Sequence, residues 1–472
     1  MKPLPDARYA AGFPFGGGLG FLILFFTLSC SRNDITTDPS CRLGFSADTI
    51  RFDTVFTTLG SATHRLMVYN PNKQAIRTSI ALAGGSNSPF RLHIDGLAAE
   101  SAQDVKIAAM DSLYIFVEVT IDPQNSDLPV VTGDSILFET NANRQRVRLE
   151  AYGQDVYILR GETIGHTTWT GSRPYLVYGR LTVDTLKTLH IEAGVHVYLH
   201  QNADIHVKGS LVAEGTADQP IVFAGDRLEK MYRDIPGQWG SIIFGTASRD
   251  NRLHHAEIRN GTNGLIFGNP RYEQIPAITL DAVAVMNMSN AGITVFAADV
   301  DAVNCLAVNC GSHVIGLFGG GTSRFVYCTV AGNYSPYIRR TSTAALTVSQ
   351  NYADIKGKIP GNVFFGNSIV YGTMSDEIDT DGADACLFDR CLLRTTMNTA
   401  TSGFSGVLTN SSPVFAGATS GNFRLKEESP ARDTGDSRIG ASVTEDMDGN
   451  NRIYGPAPDM GAYEWRSSSL QD

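Results

Sequence analysis

Apolar and polar positions alternate strictly between residues 45 and 157. In residues 113–121, LYIFVEVTI, every odd-numbered position is aliphatic, so these side chains share one face of an extended strand. The segments FRLHI and VRLEA repeat this period of two, and the turn signals NPNK, GGSNSP and DPQNSD separate such runs. Half-buried strands at this spacing predict a β-sandwich over residues 45–157.

The pattern after the predicted sandwich consists of short apolar strands punctuated by glycine and asparagine. Cys305 and Cys328 lie 23 positions apart, and Met286 and Val308 lie 22 positions apart. A repeat of this length indicates a solenoid in which each repeat forms one rung. Because leucine-rich-repeat spacing and a helical half-repeat are missing, the pattern favours a parallel β-helix. The chain is therefore predicted to be all-β, with the β-helix and its C-terminal cap at residues 158–466.

The same register predicts that the rungs continue across a polar insertion. Residues 365–372 align with residues 388–395 at an offset of 23, so Phe365 and Phe388 should lie on one face of adjacent rungs. The insertion SPYIRRTSTAALTVSQNYADIKGKIP precedes them, and the helix is expected to resume at Asn362. Asparagine tolerates the left-handed bend of a turn, so three asparagines near rung ends are expected to form a ladder: Asn287, Asn309 and Asn333.

The N-terminus has the pattern of a targeting signal. Basic residues precede an apolar run of about ten residues, Leu19 to Leu28, which is too short to span a bilayer. Small Ser29 and then Cys30 follow, before the polar, acid-containing stretch SRNDITTD. Residues 1–29 are therefore predicted to be a signal peptide that is removed from the mature protein.

This junction resembles that of a bacterial lipoprotein, in which the cysteine after a small residue is acylated and becomes the mature N-terminus. Cys30 is then the lipid attachment site, and residues 30–44 form a flexible tether like that of surface-exported lipoproteins of Bacteroidota. The resemblance implies a lipid-anchored outer-membrane protein exposed on the cell surface, with the membrane as one partner. Thr27 stands where such proteins usually have leucine. The alternative is an ordinary secretory signal with an incidental cysteine.

Two further stretches resemble known modules. Residues 45–76, FSADTIRFDTVFTTLGSATHRLMVYNPNKQAI, resemble the immunoglobulin-like module that precedes β-helices in Bacteroidota surface proteins. Residues 170–465 resemble right-handed parallel β-helix proteins of the pectate-lyase-like superfamily. This second resemblance rests on GQWGSIIFG, on NSIVYG and on the ending SPARDTGD…EDMDGNNRIYGPAPDMGAYEW. It implies a fold without identifying a reaction, and residues 467–472 are expected to be a disordered tail.

Composition restricts the possible partners. The formal net charge is −10 with acids and bases interspersed, whereas a nucleic-acid-binding protein needs a basic stripe, so no nucleic-acid partner is expected. The cysteines after Cys30 contain no CxxC pair, so neither a zinc knuckle nor a thioredoxin-type centre is indicated. One of these six cysteines, Cys41, lies in the N-terminal part of the chain, and the others are expected to act as small hydrophobic residues in the helix: Cys305, Cys310, Cys328, Cys386 and Cys391.

Candidate chemistry is sparse. The resemblance implies either calcium-dependent lyases with an arginine base or hydrolases with Asn-Thr-Asp, Asp-Asp and Gly-His-Gly motifs, and none of these three motifs occurs. The densest acidic stretch, SDEIDTDGADA, places Asp379, Asp381 and Asp384 on a tight loop, where alternate carboxylates are able to surround a structural calcium ion. The alternative is a solvated loop between rungs. No cofactor is required.

Histidines and aromatic residues are concentrated near the start of the predicted helix. His196 and His200 would point the same way from one strand but lie about 13 Å apart, too far for one zinc ion. Five aromatic side chains are candidates for a sugar-stacking platform, the alternative being that they cover exposed core: Trp169, Tyr175, Tyr178, Tyr232 and Trp239.

The favoured hypothesis is a non-catalytic protein that presents an extended β-helix face to a polysaccharide or a surface-protein partner. The alternative is a polysaccharide lyase or another carbohydrate-active enzyme of the same fold. The two differ in what the middle rungs display. An enzyme should gather carboxylate, arginine or lysine on one strand face, whereas a binding protein should show aromatic residues or a smooth polar face. Fold alone does not decide between them.

Overall fold

A computed structural model describes residues 34–268, 277–349, 361–380 and 386–467. Within these ranges the chain is almost entirely β-strand, with antiparallel sheets first and long parallel sheets after them. This confirms the predicted all-β class and the order of the two architectures. The helical content of the described residues is limited to three single turns of 3-10 helix: Gly85–Asn87, Lys230–Tyr232 and Ala418–Ser420.

Two five-stranded sheets form the N-terminal sandwich, in the orders β1-β3-β8-β5-β6 and β2-β10-β9-β4-β7. All pairings are antiparallel except that of β2 with β10, which is parallel. The strands are β1 (Gly44–Phe45), β2 (Thr49–Phe56), β3 (His64–Tyr69), β4 (Ile76–Leu82), β5 (Phe90–Ile94), β6 (Leu97–Ala98), β7 (Ser101–Ile107), β8 (Ser112–Val119), β9 (Val130–Thr140) and β10 (Asn143–Gln154).

The alternation in β8 explains how the sandwich buries its core. Ile115 and Val117 are completely buried between the sheets, whereas Tyr114 and Phe116 point outward and are exposed. Residues 34–44, which belong to the predicted flexible tether, lie against this sandwich. Ile35 forms a β-bridge with Ala75. The side chain of Leu43 is buried in the sandwich core, and the backbone carbonyl of Pro39 accepts a hydrogen bond from Asn143. The chain is therefore attached to the sandwich from residue 34 onward.

Three parallel sheets of 9 to 11 strands form the solenoid. Sheet 1 contains β11 (Tyr157–Arg160), β14 (Tyr175–Tyr178), β17 (His196–Leu199), β20 (Ile221–Gly225), β23 (Ala256–Arg259), β26 (Ala284–Met288), β29 (Leu306–Cys310), β32 (Thr329–Gly332), β35 (Ile369–Gly372), β38 (Leu392–Leu393) and β40 (Leu408–Thr409). Sheet 2 contains β12 (Thr163–Ile164), β15 (Arg180–Val183), β18 (Asp204–Val207), β21 (Ile242–Phe244), β24 (Leu265–Gly268), β27 (Ile293–Phe296), β30 (Ile315–Phe318), β33 (Leu346–Ser349) and β36 (Ile378–Asp379). Sheet 3 contains β13 (Thr167–Trp169), β16 (Thr188–Ile191), β19 (Ser210–Glu214), β22 (Asn251–His254), β25 (Ala277–Asp281), β28 (Asp299–Val303), β31 (Gly321–Val326), β34 (Gly361–Gly366), β37 (Cys386–Asp389) and β39 (Phe404–Ser405).

The predicted register is confirmed. Met286 pairs with Val308, and Phe365 pairs with Phe388 on the next rung, where the two rings stack with centroids 5.5 Å apart. The solenoid also continues across the polar insertion, because β33 lies within it and β34 follows it. The predicted asparagine ladder adopts the left-handed conformation, with φ angles of 59°, 56° and 66° at Asn287, Asn309 and Asn333.

Buried cysteines pack as small apolar side chains in the solenoid core. Cys305 and Cys328 lie on adjacent rungs, and neither forms a disulfide. Burial raises the pKa of the Cys310 and Cys386 thiols to about 12. These thiols therefore stay protonated at neutral pH, which fits packing and not redox or metal chemistry.

The C-terminal segment folds back over the far half of sheet 1. Strands β41 (Phe415–Gly417) and β42 (Asn422–Leu425) pair with each other, and Phe423 and Tyr463 pack on outward-facing Leu306 and Val308. Buried Arg452 donates to the carbonyls of Gly461 and Ala462. The charged residues of the ending DMDGNNR…PDMGAYE are thus hydrogen-bonded parts of a cap.

The sandwich covers the near end of the same face. Phe56 of β2 contacts Tyr198 of β17, with ring centroids 5.1 Å apart. The outer face of sheet 1 is therefore covered at one end by the sandwich and at the other by the cap. The sandwich end of this face is where the two modules and the loop between β20 and β21 meet.

Candidate ligand-binding cleft between the sandwich and the solenoid

The structure does not bring the five candidate aromatic residues onto one surface. Trp169 is 2% exposed and stacks on buried Tyr175 at 4.3 Å, at the first rungs of the solenoid. Trp239 is 1% exposed, and its indole nitrogen donates to the carbonyl of Arg259 at 2.8 Å. A buried ring has no face for a sugar, so these three residues cover the core, which was the alternative interpretation.

Tyr178 does line a cleft. The cleft lies between β2 with its following turn, residues 52–62, and the start of sheet 1, and its volume is about 310 Å³. The solenoid contributes Tyr178, His200 and the beginning of the loop 226–241, while the sandwich contributes His64. Sites of this kind commonly form where two modules meet, because neither module alone can enclose a ligand.

His200 is held in place by a carboxylate and a ring. Its Nδ1 lies 2.6 Å from Oδ2 of Asp226, and its imidazole packs on the ring of Tyr178 with centroids 4.5 Å apart. Because Nδ1 faces Asp226, Nε2 is the nitrogen that remains for another partner. Burial, and then the charge of Asp226, raise the pKa of Tyr178 despite the opposing charge of Arg160. Tyr178 is therefore a neutral donor and stacking surface.

The loop 226–241 forms one wall of the cleft and is held in shape by hydrogen bonds and contacts within the loop. Gln238 donates through its side-chain nitrogen to the carbonyls of Tyr232 and Ile235, at 2.6 and 2.7 Å. Arg227 pairs with both oxygens of Glu229 and lies over the ring of Tyr232 at 4.0 Å. Burial raises the pKa of Glu229, but the hydrogen bond and charge of Arg227 outweigh it, so the net pKa is lowered. Glu229 is therefore an ionised structural partner.

The outer face of sheet 3 carries a row of charged side chains across its middle rungs. Glu214 contacts His190 at 3.1 Å and Arg252 at 3.6 Å, and Arg324 contacts Asp301 at 2.8 Å on later rungs. The hydrogen bond from His190 lowers the pKa of Glu214, although burial opposes it. A catalytic acid needs the opposite shift. The row therefore contains the residue types that a catalytic site uses, but these side chains are paired with one another.

The remaining predicted site residues lie mostly beyond the described part of the chain. Cys30 precedes residue 34, and Asp381 and Asp384 fall in the gap at 381–385. Asp379 ends β36 and pairs with Thr347 of β33. No group of three or more histidine, cysteine or acidic side chains in the described ranges is arranged to hold a metal ion. The calcium site and the lipid attachment therefore stay predictions. No helix within those ranges is long and apolar enough to cross a membrane.

Three features of the structure were not predicted from the sequence. The His200–Asp226 pair joins two rungs, and its partners are 26 positions apart. The second is Glu377, which lies outside the cleft; it belongs to the acidic stretch for which the sequence predicts a calcium ion or a solvated loop, yet it is buried against Arg340. The third feature is the loop DRLEKMYRD, residues 226–234. It belongs to a long connection between β20 and β21 and contains several basic residues, and both properties are visible in the sequence.

Comparisons with known proteins do not assign a function to the cleft. No protein-family model matches the chain, and no curated protein matches it in sequence. A family 123 glycoside hydrolase from Clostridium perfringens, studied for glycolipid glycan hydrolysis, is 8% identical over 24% of this chain and 25% of its own, with a TM-score of 0.18. PapD-like domain 7 of human CEP192 is 8% identical over 30% of this chain and 96% of its own, with a TM-score of 0.18. Likenesses of this size carry no argument about function.

Proposed function

We propose that this protein is a lipid-anchored, surface-exposed protein that binds glycan, without catalysis, in the cleft between its sandwich and its β-helix. The observation that carries the proposal is the cleft itself, where Tyr178 and His200 present a ring and a polar edge beside the sandwich turn. Sugars are bound by such combinations of flat apolar surface and directed hydrogen bonds. A parallel β-helix, a fold associated with carbohydrates, supports the same class of ligand. The lipid at Cys30 would keep this cleft at the cell surface.

Binding of a glycan panel to the purified mature protein tests the proposal. Tyr178→Ala should weaken the binding of a glycan found in that panel by about three- to tenfold, the value of one stacked ring. Tyr114→Ala is the matched control, because Tyr114 is an exposed tyrosine on the sandwich. Unchanged affinity in Tyr178→Ala, or an equal loss in the control, would show that glycans do not bind in the cleft.

A polysaccharide lyase or related enzyme is the second candidate, and the His200–Asp226 pair favours it. A histidine oriented by a carboxylate is the usual arrangement of a general base. The same panel therefore includes assays for new reducing ends and for unsaturated products. Product formation that Tyr114→Ala retains and His200→Ala abolishes would replace the non-catalytic proposal with the enzymatic one.

A further inference from the structure

A second cavity lies beside the cleft, on the far side of Leu228. Its volume is about 410 Å³, and Asp53, Arg227 and Leu228 line both cavities, so the two are neighbours. Four cationic side chains and only one carboxylate, that of Asp53, line this second cavity. We call it the basic chamber; its cations are Arg227, Lys230, Arg233 and Arg259.

The charges in the basic chamber are not fully balanced. Arg227 is paired with Glu229, and Arg259 lies 3.6 Å from Glu257. Lys230 and Arg233 form no ion pair with any residue in the described part of the chain. The four cations carry a charge of +4, and Glu229, Glu257 and Asp53 together carry −3, so the net charge of this group is +1. The formal net charge of the whole protein is −10. The chamber is thus a local positive field on an acidic molecule.

Two uncharged side chains lie beside the cations of the chamber, His196 and Tyr198. Burial, and then the charge of Arg259, lower the pKa of His196, whose Nδ1 lies 3.1 Å from the hydroxyl of Tyr198. His196 is therefore neutral at pH 7 and adds no charge. Tyr198 itself lines the chamber, and burial raises its pKa. A neutral hydroxyl and a ring accordingly stand beside the cations.

The side chain of Asn260 supplies a buried hydrogen-bond acceptor. It lines the chamber, is 3% exposed, and donates through Nδ2 to the carbonyl of Arg233 at 2.7 Å. Its Oδ1 is buried and accepts no hydrogen bond from the described residues. An unsatisfied buried acceptor is destabilising, so a hydroxyl donor at this position would be favourable. Cations, a ring and an acceptor of hydroxyl protons are the groups that an acidic sugar requires together.

We infer that the basic chamber binds a carboxylate or sulfate group on a sugar of the glycan that occupies the cleft. This inference rests on the proposed function and adds the chemical class of the ligand. Lys230 and Arg233 neutralise the anion, and Tyr198 and Asn260 contact the sugar that carries it. A glycan lying across Leu228 reaches the cleft and the chamber together. Ligands without an anionic group lack the first of these interactions.

Isothermal titration with matched probes tests the inference. The probes are a sulfated oligosaccharide with its unsulfated parent, and a glucuronate-containing oligosaccharide with its methyl ester. At least one anionic probe should bind at least tenfold tighter than its neutral counterpart. The double variant Lys230→Gln/Arg233→Gln should lose at least tenfold in affinity for that probe and keep its affinity for the neutral one. Both side chains are exposed, so the fold should be retained.

The matched control is Arg180→Gln/Lys208→Gln, which removes the same charge from exposed positions of the same solenoid. Equal losses in the two double variants would attribute binding to general charge attraction and overturn the inference. Neutral and anionic probes that bind equally well, with the Tyr178→Ala effect intact, would overturn the inference and leave the proposed function standing. Absence of binding by every probe and every panel glycan would overturn both.

Discussion

Arg340 and Glu377 form an ion pair inside the solenoid, and removing either partner should destabilise it strongly. The side chains are 1% and 0% exposed, so neither charge gains solvent when its partner is removed. Glu377 also accepts the backbone N–H groups of Met374 and Ala345, whereas Nε and Nη1 of Arg340 have no hydrogen-bond partner among the described residues. We therefore expect Arg340→Met and Glu377→Gln each to lower the free energy of unfolding by about 3–5 kcal/mol.

The double variant Arg340→Met/Glu377→Gln separates charge pairing from simple packing. It removes both charges and keeps one carbonyl oxygen for the backbone donors, so it should cost about 1–3 kcal/mol, the value of one unsatisfied N–H group. Independent effects would instead sum to about 6–10 kcal/mol. Arg324→Met is the matched control. It breaks an exposed pair with Asp301 at 2.8 Å and should cost less than about 1 kcal/mol.

Urea unfolding followed by tryptophan fluorescence measures these differences, because Trp169 and Trp239 are buried in the solenoid. The loss in Arg340→Met should also shrink from pH 8 to pH 5. Burial raises the pKa of Glu377, and without Arg340 the buried carboxyl is more easily accommodated once it is protonated. Additive losses in the double variant, or an Arg340→Met loss that does not change with pH, would refute the reasoning.

Three further predictions concern the termini and the acidic loop. Cys30→Ser should move the protein from the membrane fraction to the soluble fraction, and detergent-dependent membrane association of that variant would contradict lipid attachment. Burial raises the pKa of Glu464 to about 7 from 4.5 and that of Asp459 to about 6, so the folded cap holds protons that the unfolded chain releases, and stability is lost as pH rises through this window. Glu464→Gln should therefore remove a pH-dependent loss on the order of 3 kcal/mol between pH 5 and pH 8, measured by urea unfolding against the parent protein. Calcium should raise the melting temperature, and Asp379→Asn/Asp381→Asn should abolish that rise; identical melting curves with calcium and with chelator would exclude the site.

Local periodicity explains which parts of the fold were predictable. Alternation with a period of two specifies which side chains of β8 are buried, and the 23-residue repeat places Phe365 beside Phe388. Both signals depend on neighbours along one strand or one rung. The φ angle of Asn309 follows similarly from its own side chain. These features need no knowledge of how the two modules pack together.

The candidate site depends on packing across the modules, which the pattern of one strand does not carry. The strand pattern places Tyr198 on the outward face of β17, and it is half-buried in the structure, where Phe56 of the sandwich packs against it. Trp169 is of a residue type that often stacks on sugars, but its ring is buried against Tyr175, where it covers the core of the first rungs. Aromatic residues therefore mark either a ligand site or a core, and their tertiary neighbours decide which.

The covering of sheet 1 explains why its sandwich end is the region to test for ligands. Parallel strands can leave an outward face that is apolar, and the far half of this face is apolar, as Leu306 and Val308 show. The cap buries that half. Toward the sandwich end the outward residues are mixed, because apolar Val222 and Ala224 on β20 lie between Tyr198 on β17 and the charged residues of β23, Glu257 and Arg259. The sandwich and the loop 226–241 both lie over this part of the face without filling the space beside it. The two cavities therefore lie where the sandwich meets this face, because Asp53 of the sandwich and Leu228 of the loop line both of them.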